Sequence, residues 1–187
     1  MILVLYAHPY PGNSRACRAL VETIRTLPQV AVRSLYELYP DFDIDIAAEQ
    51  QALGAARLVV LLHPLYWYST PSLLKHWIDM VLQQGWAYGR GGDALAGKHC
   101  LWVPTVGGDE SSYAPGQTYL KPFERYVDPI EQTARFCGMT WEAPHVVFGS
   151  RSISDEALAG HAVRLRERLA AFAARATVAP TPIESAS

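Results

Sequence analysis

The sequence predicts a doubly wound α/β domain on five parallel strands in the order 2-1-3-4-5, and three observations carry that prediction. Short aliphatic or β-branched runs alternate with helical patterns along the chain, several of those runs are apolar at every position, and the least regular segments all follow predicted strands. Runs apolar on both faces belong to a parallel sheet covered by helices on each side. Right-handed crossovers then leave few orders for five such strands.

Strands are expected at 2–6, 30–34, 58–62, 99–104 and 145–148, and helices at 14–26, 47–56, 72–83, 121–137 and 155–173. The chain has 187 residues, which suits one domain that buries roughly 70% of the surface its unfolded form exposes. That domain is expected over residues 1–176, with the Pro-, Ser- and Ala-rich segment 177–187 a frayed tail. With 50% hydrophobic and 18% charged residues, disorder and coiled coil are both excluded. A net charge of −2 without a Lys/Arg-rich run gives no field for nucleic acid.

Cys17, Cys100 and Cys137 are odd in number and lack zinc spacing, so they read as reduced thiols and no metal is expected. Asp41, Asp43 and Asp45 resemble the start of a calcium loop, but Ile46 and Ala52 stand where glycine and glutamate are needed. His76, His99, His145 and His161 read as structural or solvent-facing, and Ser150 and Ser152 lie in no nucleophile-elbow context. Met1 leads directly into the first predicted strand, so no signal peptide is expected, and the longest apolar run falls far short of the roughly 20 residues that span a bilayer. A cytoplasmic protein is expected, one that reaches a membrane only through a partner.

Ligands of such sheets sit outside the carboxyl ends of the strands near the point where strand order reverses, which directs attention to the loops after strands 1, 3 and 4. In the first, Pro9, Pro11 and Gly12 shape a turn into a helix whose unpaired N–H groups suit a phosphate, with His8, Ser14 and Arg15 as added donors. Simple helix capping by Asn13 or Ser14 accounts for the same residues. In the second, Tyr66, Trp67 and Tyr68 lie between Pro64 and Pro71, where they can present ring faces and amides to a flat heterocycle or pack over the next helix. In the third, Thr105 and Val106 precede Gly107 and Gly108, whose amides a ligand can approach closely. Tyr113 and Tyr119 follow as candidates for holding or protonating a substrate carbonyl, or as solvent-facing side chains. The glycine-rich segment 85–92 reads as a lining of the substrate mouth or as a plain connector.

Together these loops resemble the flavin-dependent NAD(P)H:quinone oxidoreductase family that includes DT-diaphorase, of flavodoxin-like fold, and more closely the ancillary flavoprotein of bacterial Kef potassium efflux systems. The segments YAHPYPGNS, RSLYELYPDFDIDIAAEQ, HPLYWYSTPSLLKHWID, GWAYGRGGDALAGKH and TVGG carry the resemblance and span most of residues 5–108. It implies FMN or FAD, NADPH or NADH as donor, a homodimer, and two-electron reduction of quinones. By resemblance, His8, Ser14, Arg15, Ala16 and Cys17 hold the flavin phosphate, Pro64, Leu65, Tyr66, Trp67 and Tyr68 the ring, and Thr105, Val106, Gly107 and Gly108 its pyrimidine edge. It also implies a second role, docking on the cytosolic domain of a Kef-type potassium efflux protein with a structural flavin. Two positions depart from the family pattern: Cys17 stands where asparagine is frequent, and Tyr113 and Tyr119 stand where DT-diaphorase pairs a tyrosine with a histidine. A one-electron carrier like flavodoxin calls for a strongly acidic surface, which this composition does not supply.

Overall fold

The computed structural model describes residues 1–175, so the expected tail lies outside the described residues. Its five strands, β1 (Ile2–Tyr6), β2 (Val30–Ser34), β3 (Leu58–Pro64), β4 (His99–Thr105) and β5 (Thr140–Glu142), form one all-parallel sheet in the order β2-β1-β3-β4-β5. Helices α1 (Arg15–Ile24), α3 (Ile46–Ala55), α4 (Ser72–Val81), α5 (Glu124–Phe136) and α6 (Asp155–Arg175) cover it, and α2 (Leu35–Leu38) is a single turn after β2.

The period-two alternation of strand side chains divides the core. Ile2, Val4 and Tyr6 of β1 join Leu58, Val60 and Leu62 of β3 beneath α1 and α6. Leu3 and Leu5 join Val59 and Leu61 on the opposite face beneath α3, α4 and α5. Both faces of the central strands are therefore dry, which is why their sequences carry no polar alternation. None of the helices among the described residues is long and apolar enough to cross a membrane.

The last strand differs from expectation. The expected strand at 145–148 is not part of the sheet proper; β5 is the earlier, three-residue Thr140–Glu142, paired with His99, Cys100 and Leu101 of β4. Pro144 breaks the edge because it has no N–H to donate. Beyond it the chain stays beside β4, with His145 N donating to Trp102 O (2.9 Å) and Val147 N to Pro104 O (3.0 Å). The segment 85–92 also departs from the reading that lines it along the substrate mouth. It follows α4 and precedes the start of β4, so it lies at the amino edge of the sheet, where Tyr88 packs on Phe136 at 5.1 Å.

One buried polar cluster ties the β2 side together. Glu49 of α3 is 0% exposed. It accepts hydrogen bonds from Arg33 Nε (2.8 Å) and Nη2 (2.5 Å), Tyr39 Oη (2.5 Å) and Trp77 Nε1 (3.0 Å). β2, α4 and the residue that ends α2 thus each aim a donor at one carboxylate of α3.

Candidate active site

At the carboxyl edge of the sheet the loops after β1, β3 and β4 meet. After β1, His8 Nδ1 accepts a hydrogen bond from Tyr10 N at 3.0 Å, and burial holds its pKa below the usual value, so the ring is neutral with Nε2–H free to donate. A 3-10 turn at Pro11–Asn13 then delivers the chain to α1, whose first N–H groups have no carbonyl partner in the helix. Ser14 occupies the N-cap position but its hydroxyl does not cap. Beside it the Tyr6 hydroxyl is buried and makes no hydrogen bond of good geometry, and burial together with the nearby Cys17 pushes its pKa up to about 12. The open amides, with the Ser14 hydroxyl lying between the Tyr6 phenol and the Cys17 thiol, form a donor set that fits a phosphate.

Two residues of this loop behave otherwise than expected. Cys17 is 1% exposed and its Sγ lies 3.1 Å from Thr105 Oγ1. Its side chain therefore faces the sheet and only its amide remains for a ligand. Burial also raises the thiol pKa, which keeps it protonated. Arg15 is committed to Asp155 at the start of α6, with Nε and Nη2 at 3.2 and 2.5 Å from Oδ1. Ala16 is buried and can offer only its amide.

After β3 the chain makes a tight two-residue turn. Tyr66 N donates to Ser69 O (3.1 Å) and Ser69 N to Tyr66 O (3.0 Å), while Trp67 and Tyr68 between them have φ of 49° and 63°. Positive φ at both central positions defines a type I′ turn, which favours Asn-Gly, so two aromatics here store strain of order 1 kcal/mol or more. The turn leaves Trp67 91% exposed. Tyr68 stacks on Tyr126 at 5.3 Å and meets Tyr119 edge-on at 6.0 Å. Trp67→Asn, better suited to that φ, is expected to raise stability by about 0.5–1 kcal/mol while weakening the binding of any flat ligand. Urea unfolding and ligand titration of the variant check both halves of that expectation.

Beneath the turn, His63 is fully buried. Trp102 Nε1 can only donate, and it does so to His63 Nε2 at 2.7 Å. The His63 proton therefore sits on Nδ1 and is donated to Pro64 O at 2.8 Å. Leu65 N donates to Thr105 O at 2.8 Å, so both ends of the peptide entering the turn are fixed. Burial pushes the His63 pKa down to about 4. The unfolded chain, with an ordinary value near 6.5, then takes up this proton first as the pH falls. Stability is expected to drop between about pH 6.5 and 4, by at most about 1.4 kcal/mol per pH unit from His63. His145, also pushed down to about 4 by burial and the neighbouring His161, adds in the same direction. Urea titrations across that range measure the slope, and a flat profile would contradict the arrangement.

After β4, Gly107 is exposed and Gly108 half-buried. A Cβ on Gly108 would lie 2.7 Å from the Tyr119 ring, and one on Gly107 would lie 3.4 Å from Arg151 Nε. Tyr119 stacks on Tyr113 at 4.4 Å with the planes 24° apart. Tyr113 is 6% exposed, and burial, reinforced by the neighbouring phenols of Tyr119, Tyr126 and Tyr68, raises its pKa to about 12. It is a durable hydrogen-bond donor and a reluctant acid.

Residues 64–68 and 105–108, with Tyr113, Tyr119, Ser150 and Arg151, line one cleft of about 350 Å3. The second and third loops thus share a single cavity, as the sequence leads one to expect. His8, Ser14, Arg15, Ala16 and Cys17 do not line it and adjoin it through the edge-on contact of His8 with Tyr66 at 6.3 Å. Ser150 and Arg151 come from the loop before α6, carried in by the hydrogen bond from Ser150 N to Val106 O (2.8 Å). Sequence reading sets Ser150 aside as no nucleophile and passes over Arg151 and the Tyr6 hydroxyl.

Comparison with known proteins identifies the fold family. Residues 1–169 match the family described as having a flavodoxin-like fold. A chain from the crystal structure of a thermophilic tryptophan halogenase from Streptomycin violaceusniger is 36% identical with a TM-score of 0.86, over 89% of this chain and 97% of that one. General stress protein 14 from Treponema denticola, solved in complex with FMN, is 30% identical with a TM-score of 0.82, over 92% and 98% of the two chains. An NADPH-quinone reductase from P. pentosaceus is 25% identical, also with a TM-score of 0.82, over 90% and 96%.

Proposed function

Because the chain belongs to the flavodoxin-like fold family, we propose that it is an FMN-dependent oxidoreductase that reduces quinone-type acceptors at the expense of NAD(P)H. The observation that carries this reading is the cleft itself, in which a strained aromatic turn faces a Gly-Gly segment at the carboxyl edge of a parallel sheet. The FMN complex of the Treponema denticola protein and the reductase name of the P. pentosaceus protein support it. The halogenase name of the 36% identical chain stays with that protein.

The residues present fit the cofactor. The amides at the start of α1, with Ser14 and the unpaired Tyr6 hydroxyl, would take its phosphate. Leu65, Trp67 and Tyr68 would hold the ring, and the Gly107 and Gly108 amides its pyrimidine edge. Bound there, the flavin supplies two-electron hydride chemistry that the twenty side chains lack. The net reaction is NAD(P)H, a proton and quinone going to NAD(P)+ and hydroquinone. Tyr113, protonated throughout the physiological range, would donate a hydrogen bond to the acceptor carbonyl. Water at the open side of the cleft would supply the proton. Trp67 and Leu120, each 91% exposed, would be covered by a second copy in the expected homodimer. No feature of the described residues favours docking on a potassium efflux protein. Purified protein supplied with FMN is expected to oxidise NADPH or NADH only when menadione is present, followed by loss of reduced-nucleotide absorbance. No menadione-dependent oxidation with either nucleotide contradicts the reading.

A further inference from the structure

Among the described residues Arg151 is the single formally charged side chain that lines the cleft, and no carboxylate of theirs lines it. Other arginines near α6 are already engaged: Arg15 with Asp155, Arg168 with Glu142, and Arg166 with Thr23 and Thr26. Arg151 makes no ion pair with any described residue. Its Nε and Cζ stand 3.4 and 3.8 Å from where a Gly107 Cβ would be, so the guanidinium takes the place of a side chain on the cleft wall. It is also close enough to Tyr66 for its charge to act on that hydroxyl. The other polar groups facing the cleft are hydroxyls and amides able to donate. The cleft thus carries one cation and several donors beside a platform of aromatic rings, with the Asp109 carboxylate packed against Gly149 outside its lining.

We infer that Arg151 makes the cleft selective for anionic aromatic acceptors, quinones bearing a sulfonate or carboxylate, over neutral quinones of the same ring size. This rests on the reductase reading above and names its substrate class. Arg151 stands on the cleft wall beside Gly107 with its side chain exposed. The phosphates of a nicotinamide dinucleotide are set back from its reacting ring by a ribose. A planar guanidinium meets a sulfonate or carboxylate through paired charge-assisted hydrogen bonds. Because the group is exposed, solvent screens it, and the preference it confers is roughly 5- to 10-fold.

The test compares FMN-loaded wild type, Arg151→Ala and Arg151→Lys with 1,4-naphthoquinone-2-sulfonate and menadione as acceptors. The ratio of kcat/KM for the sulfonate to that for menadione is expected to fall roughly 5- to 10-fold in Arg151→Ala and less in Arg151→Lys. The wild-type ratio is expected to shrink as NaCl rises from about 50 to about 500 mM. Equilibrium dialysis of naphthalene-2-sulfonate gives a readout independent of turnover, with retention expected to weaken in Arg151→Ala. An unchanged ratio overturns the inference, as does an effect seen only in FMN affinity or in KM for NADPH. If wild type reduces neither quinone the reductase reading fails, and dialysis still decides the role of Arg151: binding lost in the variant upholds it, binding unaltered overturns it.

Discussion

Glu49→Ala is expected to cost about 2–4 kcal/mol of folding stability, because it removes the buried acceptor that a half-buried arginine and two buried donors share. The carboxylate is the shared acceptor for Arg33, Tyr39 and Trp77; Tyr39 and Trp77 are buried with it, while the Arg33 side chain keeps 25% of its surface in solvent. Glu49→Gln, which keeps an oxygen for part of the set but loses the charge, is expected to cost less. Urea unfolding of the three proteins measures the difference, and a loss below about 1 kcal/mol for Glu49→Ala would show that the cluster relaxes around the gap. The cluster lies on the β2 side, away from the cleft, so the loss is expected in stability first.

Gly108→Val is expected to show the opposite pattern. Its Cβ would fall 2.7 Å from both Cε2 and Oη of Tyr119, and the ring could move away only by leaving its stack on Tyr113. FMN affinity is expected to drop at least about tenfold, equivalent to about 1.4 kcal/mol. Stability should change little, since Gly108 lies at the cleft surface and needs no positive φ. Gly107→Ala is the contrasting variant, because its Cβ meets only the flexible Arg151 side chain at 3.4 Å. Equal losses of FMN affinity in the two variants would argue against a cofactor edge at Gly108. Fluorescence titration with FMN, alongside thermal melts, separates the two effects.

β1, β3 and β4 were readable because they are buried on both faces with long apolar runs, and β2, half-buried at the edge of the sheet, from its β-branched Val30 and Val32. The fifth was not, because three residues carry little pattern and the more β-like 145–148 lies just beyond Pro144. The loops facing the cleft were readable from their prolines, glycines and aromatics, together with the rule that places ligands at the carboxyl edge. The type I′ turn was not, since Trp-Tyr lacks the Asn-Gly signature and the strain is visible only in the backbone angles. Arg151 and Ser150 lie more than forty residues from Gly107 and reach it only through the pairing of 145–150 alongside β4 and its extension. Cys17 could have been placed correctly: it shares the i, i+3, i+4, i+7 stripe with Leu20, Val21 and Ile24, which marks it as buried. Of the two readings of the glycine-rich 85–92 the connector holds within this chain, because a helix following β3 returns the chain to the opposite edge of the sheet.

The central claim is that the cleft at 64–68 and 105–108, together with the start of α1, is a flavin site. Titrating the purified, flavin-free protein with FMN tests it most directly, with flavin absorbance and tryptophan fluorescence recorded together. The account predicts saturable binding of one FMN per chain, perturbed flavin bands, and tryptophan quenching that is smaller in Trp67→Phe, because that ring stands on the cleft wall while four other tryptophans remain. Absence of saturable binding at FMN concentrations of about 100 μM, a level that detects interactions down to roughly −5.5 kcal/mol, would contradict it.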